Sequence, residues 1–358
     1  MPGIATKKFR IHNAEQFYES LTENEPTRYF MFIGRVTPFT DENSPPTPSD
    51  TVQNTAFDGF RDILSVKRIQ ASDVSNCIPR YNWTSGNVYT QYSDTNASLF
   101  PTTINPASAS TFYVLTEDNN VYKCIDNNRG AASTVKPTGV STAIITTADG
   151  YRWKFMYRIS AATALKFLTT NYMPVKYLTA DDSSAQWDVQ TAAANGAISH
   201  YTITSNGSAY LSASNTFSGI TNSTVMQLAS DASGTDDIYN GSTIFISSGL
   251  GSGQLRRIIN YSGASKTITT NNAFTTTPNT SSAYIVGPNI IVRGDSGASA
   301  ALVATAYVSN CAGGQIRKIS PIAVGAGYST ANVVVSANSS WGSGAVIVPI
   351  ISPQGGHG

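Results

Sequence analysis

Two stretches of the chain, ISHYTITSNGSAY (198–210) and IRKISPIAVGAGY (316–328), carry the same anchors at the same offsets: Ile198, Gly207 and Tyr210 in one, Ile316, Gly325 and Tyr328 in the other. The second copy ends in WGSGAVIVPII, with Gly344 about sixteen residues past Tyr328, while the matching GDSGASAALVATAYV puts Gly297 about 87 residues past Tyr210. The difference, about 71 residues, reads as an insertion in the first copy. Within it, DDIYNGSTIFISSGLGSGQLRRIINYSGASKTITTNNAF predicts several strands separated by Gly turns, a small β module of its own. One strand–turn–strand unit cannot bury its apolar face alone, so the duplication predicts similar sheets or layers packed together.

A chain of 358 residues exceeds the size at which one hydrophobic core stops growing, so more than one folding unit is expected. After about Asp181 the composition shifts to Gly, Ser, Thr, Asn, Ile and Val, a mix that suits sheet faces and turns. The expected fold is mainly β with a few short helices: a layered β-sandwich with a split β repeat and an inserted β module. The predicted divisions are an α+β N-terminal domain over 1–190 with a Pro-rich arm at 37–51, the split repeat over 197–230 plus 290–353, the inserted module over 231–289, and a Gly-rich tail at 354–358.

Within the N-terminal region, Asn13 followed by Gln16, Phe17 and Leu21 predicts a capped helix of two or three turns. RYFMFIGRV, bounded by Pro26 and Pro38, has the length and aromatic content of a buried strand. TPFTDENSPPTPSDT holds Pro38, Pro45, Pro46 and Pro48 beside Phe39, and reads as an extended surface loop. Asp50 with Gln53 is placed to cap a second helix through AFDGFRDILSV, with Phe57, Phe60 and Leu64 on one side. FYVLTEDNNVYKCID is a hairpin pattern turning at Glu117–Asn120. In YRWKFMYRI the alternation puts Tyr151, Trp153, Phe155, Tyr157 and Ile159 on one face and Arg152, Lys154, Met156 and Arg158 on the other. Ser160 then sits at an N-cap position before AATALKFL, and Pro174 closes the unit.

Lys and Arg number 23 against 22 Asp and Glu, so no long-range field draws nucleic acid or an anionic membrane. No run of about 18 apolar residues spans a bilayer, and the N-terminus lacks an apolar leader. Cys77, Cys124 and Cys311 are odd in number and far apart, which argues for reduced thiols and a reducing compartment. The histidines are His12, His200 and His357, none beside a nucleophile elbow or metal motif. GLGSGQ lacks the full dinucleotide-loop spacing, and the adjacent acidic pairs Asp181–Asp182, Asp236–Asp237 and Glu117–Asp118 would face opposite ways in a strand. No catalytic residue, cofactor or metal is expected. Arg152, Lys154 and Arg158 have three readings: pairing with carboxylates on neighbouring strands, meeting an acidic surface on another protein, or contacting phosphate.

Three segments, GRVTPFTDENSPPTPSDT, FYVLTEDNNVYKCIDNNRGAASTVKPTG and DGYRWKFMYRISAATALKFLTTNYMPV, resemble the baseplate wedge protein of T-even-like, contractile-tailed bacteriophages. The likeness covers roughly residues 1 to 200, and the final ISPQGGHG is also similar. The family's pattern runs on past a GGHG segment, so a truncated chain or a shorter relative is expected. The resemblance implies a structural subunit without enzymatic activity, a homodimer in each baseplate sector. It further implies contact with other wedge subunits, those carrying tail fibres among the candidates, and a part in relaying rearrangement when the tail contracts. Localisation would be the virion, with host cytoplasm before assembly. The residues expected at subunit contacts are Pro38, Phe39, Pro45, Pro46, Pro48, Arg152, Lys154 and Arg158. The competing reading is a glycan-binding tail or fibre module, with Trp83, Tyr89, Tyr92 and Trp187 exposed for stacking on sugar rings.

Overall fold

The computed structural model describes residues 7–34, 38–45, 47, 60–96, 99, 111–295, 303–336 and 342–358, and among these the fold is mainly β, with three α-helices. The chain divides into two compact units: Met1–Arg80, Thr102–Ala107 and Ile159–Tyr177 form one, and Tyr81–Pro101, Ser108–Arg158 and Leu178–Gly358 the other.

The first unit holds helix α1 (Lys7–Glu19), strands β1 (Tyr29–Gly34), β2 (Ile63–Ile69) and β3 (Cys77–Pro79), helix α2 (Ala161–Phe167) and strand β8 (Tyr172–Pro174). Asn13 lies in the middle of α1, not at its cap, because helical backbone continues N-terminally to Lys7. Strand β1 forms where expected but is exposed, since its sheet has only one other strand, β2. The helix expected through AFDGFRDILSV falls partly outside the described residues, and from Ile63 its sequence is instead strand β2. Tertiary pairing decides this: Ile63–Ile69 is rich in β-branched residues and lies antiparallel to β1, with Phe32 opposite Val66 and Phe30 opposite Arg68. The α2 cap is as predicted, with Ser160 Oγ accepting from the Thr163 N–H at 3.2 Å.

The second unit begins with strands β4 (Tyr113–Leu115), β5 (Asn120–Asp126), β6 (Ile145–Thr146) and β7 (Arg152–Arg158), ordered β4-β5-β7-β6. The predicted hairpin is β4–β5, turning through Asn119 at φ +57°, a conformation Asn tolerates. Tyr89, Val114, Tyr122, Cys124, Tyr151, Trp153, Phe155 and Val189 form its core, the last from helix α3 (Ala185–Thr191), which Ser184 caps.

Strand β9 (Ile198–Ser208) follows, and then a seven-stranded sheet. The sheet's members are β10 (Ala213–Thr216), β11 (Gly219–Ile220), β12 (Val225–Gln227), β13 (Thr243–Ser248), β14 (Leu255–Ser262), β15 (Thr267–Thr270) and β16 (Ala283–Gly287). Their order is β10-β16-β13-β14-β15-β12-β11, around a core that includes Met226, Leu228, Ile244, Ile258, Tyr261 and Tyr284.

The chain finishes with β17 (Asn289–Gly294), β18 (Thr305–Ala312), β19 (Gln315–Ala323), β20 (Ala331–Ser336) and β21 (Ser343–Ile351). The two repeat copies exchange partners. The opening strand of the first copy, β9, pairs with the closing strand of the second, β21, while the closing strand of the first, β18, forms a hairpin with the opening strand of the second, β19. Ile198 and Ile316, and Tyr210 and Tyr328, share one core with Ile290, Val308, Ile319 and Ile347. Each anchor tyrosine accepts a backbone hydrogen bond: Tyr210 from Ala345 N–H at 3.3 Å, Tyr328 from Ala304 N–H at 3.0 Å. Gly207 and Gly325 sit at φ +63° and +62°, the left-handed region that a side chain resists. At Gly207 a Cβ would also lie 2.6 Å from the backbone of β21, so this glycine sets how closely the two copies approach.

Candidate functional site: an apolar ribbon and a cationic strand

In the first unit, β1 and β2 make a two-stranded ribbon whose side chains alternate between faces. Cross-strand partners share a face, which puts Phe30, Phe32 and Val66 together, 60%, 52% and 58% exposed. On the other face Met31 and Ile33 are also exposed, with Phe17 of α1 against Tyr29 at 5.0 Å between rings. Leu64 is exposed as well, and Phe9, Ile11 and Tyr18 add apolar surface on α1. A two-stranded ribbon this short is marginal in water without a covered face.

In the Pro-rich arm, Pro38 and Pro45 are exposed and Phe39 is half-buried. The Phe39 N–H donates to Glu42 Oε1 at 2.9 Å, and an Asp41 turn follows, with its carboxylate accepting from the Asn43 N–H. Pro46 and Pro48 lie outside the described residues.

In β7 the aromatic residues share one face as predicted, and that face is buried, but the opposite face is not a simple cationic surface. Only Arg158 is exposed; β7 is an inner strand flanked by β5 and β6 and covered on the second side. Arg152 donates to the Ser199 carbonyl at 2.6 Å, and Lys154, only 5% exposed, donates to the Thr142 carbonyl. Burial lowers the pKa of both, opposed at Arg152 by the charge of Asp126. Neither reading of this strip as a carboxylate pairing site or an outer surface describes Lys154, whose partner is a backbone carbonyl.

His200 is the strongest catalytic resemblance, since its Nδ1 lies 3.4 Å from Asp126 Oδ2. Burial alone would raise the Asp126 pKa, but the hydrogen bonds from His200 and the Asn128 N–H and the charge of Arg152 outweigh it and hold it below the usual value. The far nitrogen of His200, which would face a nucleophile in a triad, is 3.0 Å from Gln91 Nε2 instead. Gln91 Oε1 accepts from the Asn127 N–H, which fixes the amide with its NH2 toward the ring. Gln91 therefore donates to Nε2, the ring proton sits on Nδ1 toward Asp126, and the constellation is structural. Among the described residues no group of three or more His, Cys, Asp or Glu is placed to hold a metal ion, and no helix is long and apolar enough to cross a membrane. The cysteines are free thiols, and Cys124 is buried.

The aromatic residues expected to be open for sugar stacking divide. Tyr89 and Tyr92 are buried, the first in the β4–β7 core, the second beside Phe112, because both are spent on packing. Trp83 and Trp187 are half-buried, and Trp83 donates its indole N–H to Ser133 Oγ at 3.1 Å.

The β1–β2 ribbon thus presents open apolar surface, and the His200–Asp126 pair has its second ring nitrogen taken by Gln91. The family model described as Phage-Gp8, Bacteriophage T4 Gp8, matches residues 3–135, a little over a third of the chain. That match supports a structural protein of a phage baseplate or tail, carried in the virion. Among solved structures, a chain described as "Virion of native gene transfer agent (GTA) particle" aligns at 14% identity and a TM-score of 0.21, over 48% of this chain and 54% of that one, too low a score to bear on the fold. No curated protein matches.

Proposed function

We propose that the protein is a structural subunit of a phage baseplate wedge that works as a homodimer, joined through the β1–β2 ribbon. The observation that carries this is the exposed face of Phe30, Phe32 and Val66, backed by Met31 and Ile33 on the reverse. Phe30, Phe32 and Val66 share one face, and burying each contributes at most about 1.5–3 kcal/mol toward the cost of association. The dimer holds neighbouring wedge proteins in place, and contact between subunits relays rearrangement when the tail contracts. Assembly takes place in the host cytoplasm. The exposed prolines Pro38 and Pro45 lie in a stretch already restricted in conformation, which suits a segment laid along a neighbour.

The test is native mass across protein concentration, with and without the products of neighbouring genes. A species near twice 38.0 kDa is expected, lost in Phe32→Glu and capturing a neighbour in fixed ratio. A monomer at all concentrations that captures nothing would overturn the reading. Glycan binding through Trp83 or Trp187 is the alternative, and a specific glycan-array signal abolished by their replacement would favour it.

A further inference from the structure

The second unit contains a cavity of about 360 Å³ lined by Arg152 and Lys154 from β7, Ser199 from β9, Thr142–Ile144, Ala192–Ala194, and His357. Two of the polar groups that line it lack partners. Ser199 is 3% exposed and its Oγ has no hydrogen-bond partner; His357 is 7% exposed and neither ring nitrogen has one. Groups buried this deeply are ordinarily satisfied, and each one left open costs about 1–3 kcal/mol. Arg152 and Lys154 are two residues apart on one strand, so their side chains start about 7 Å from each other on the same face. No Asp or Glu lines the cavity; the nearest acid to Arg152 is Asp126, itself engaged by His200 and Asn128. Lys154 is thus a buried ammonium whose protein partner is a neutral carbonyl. Burial together with the charges of Lys123 and Lys154 holds His357 neutral, so one of its nitrogens is an available N–H donor.

We propose that this cavity binds a small oxyanion, a carboxylate or a phosphate, between Arg152, Lys154, the Ser199 hydroxyl and the His357 ring. The chemistry matches at each point. Arg152 already gives one N–H to the Ser199 carbonyl and has others to offer, Lys154 has two protons beyond the one given to Thr142, and Ser199 and His357 add neutral donors. Ala192–Ala194, Pro321, Ile322 and Val324 supply apolar surface beside these donors, while Lys154 and Ser199 themselves are buried, which strengthens their charge-assisted bonds. A cation is disfavoured by two fixed positive charges, and a neutral sugar would leave Lys154 without a counter-charge.

The experiment uses the full chain and the three imidazole signals of His12, His200 and His357, assigned by single His→Gln variants. Inorganic phosphate and acetate are titrated separately at constant ionic strength held with chloride. The expected result is a saturable shift of the His357 signal with at least one of the two, chloride giving none, and the relative affinities tell which oxyanion geometry the site prefers. Lys154→Met should weaken binding at least about tenfold, and Ser199→Ala, a milder change that leaves the charges in place, about three- to tenfold. Absence of a saturable His357 shift with either anion overturns the proposal, as does a shift of equal affinity in folded Lys154→Met or, should that variant not fold, in Ser199→Ala.

Discussion

Replacing Gly207 by Ala asks whether the meeting of the two repeat copies is set by backbone contact. The residue stands at φ +63°, where an L side chain costs about 1–2 kcal/mol. The new Cβ would lie 2.6 Å from Ala345 N and Ser343 O of β21, contacts that backbone cannot yield without moving the strand, adding about 1–3 kcal/mol. Gly313 supplies the control: it has φ +60° and nothing within 4 Å of the added methyl, so Gly313→Ala bears only the conformational cost. The expected losses are about 2–5 kcal/mol for Gly207→Ala against about 1–2 for Gly313→Ala. Urea unfolding followed by far-UV circular dichroism measures both, and amide exchange across β9 and β21 should show the extra loss concentrated there. Equal destabilisation by the two variants, or unchanged protection of β21 in Gly207→Ala, would refute the close-approach argument.

Burial pushes the Lys123 pKa down to about 7, far below its unfolded value of about 10.4. Between these values the unfolded chain holds a proton that the folded chain lacks, so this residue makes stability rise with pH from about 7 to about 10.4, by at most about 1.4 kcal/mol per unit. Urea titrations at several pH values should show that slope in the wild type and lose it in Lys123→Met. Asp126 works in the opposite range: its lowered pKa supports the fold above the ordinary carboxylate value and the support goes as pH falls through the folded one, so Asp126→Asn should flatten the acid limb of the same curve. Cys124, buried with its pKa raised well above normal by burial first and by Asp126, should resist iodoacetamide until the protein unfolds, and labelling at the native rate of Cys311 would contradict its placement. Val66→Glu should abolish self-association with little change in urea midpoint, checked by sedimentation velocity.

Much of the mainly β architecture was legible because periodicity and turn residues are local signals. The β4–β5 hairpin follows from its Asp-Asn-Asn turn, and the Ser160 cap from the helix formers after it. What could not be read was which faces are covered. Period-two alternation assigned Arg152 and Lys154 to one side of β7, but whether that side meets water depends on Ser199, Thr142 and His357, which come from distant parts of the chain. The converse error befell β1, whose aromatic run suggests an interior yet lies on an open ribbon. The repeat spacing announced two copies without saying that each would take its partner strand from the other, since offsets carry no information on pairing. The cavity at His357 had a faint signature at most: a histidine between glycines in the tail.

The seven-stranded sheet begins and ends on neighbouring strands, with Ala213 of β10 opposite Val286 of β16, so the chain leaves and rejoins the repeat at points about 5 Å apart. A segment tethered in this way behaves as a cassette. Cutting the gene at those two positions removes a folded block and leaves ends that a short turn can reconnect, and a different block with equally close ends fits the same gap. The seam falls where the two ends already lie side by side, so the repeat can close over the gap with its own strand pairs intact.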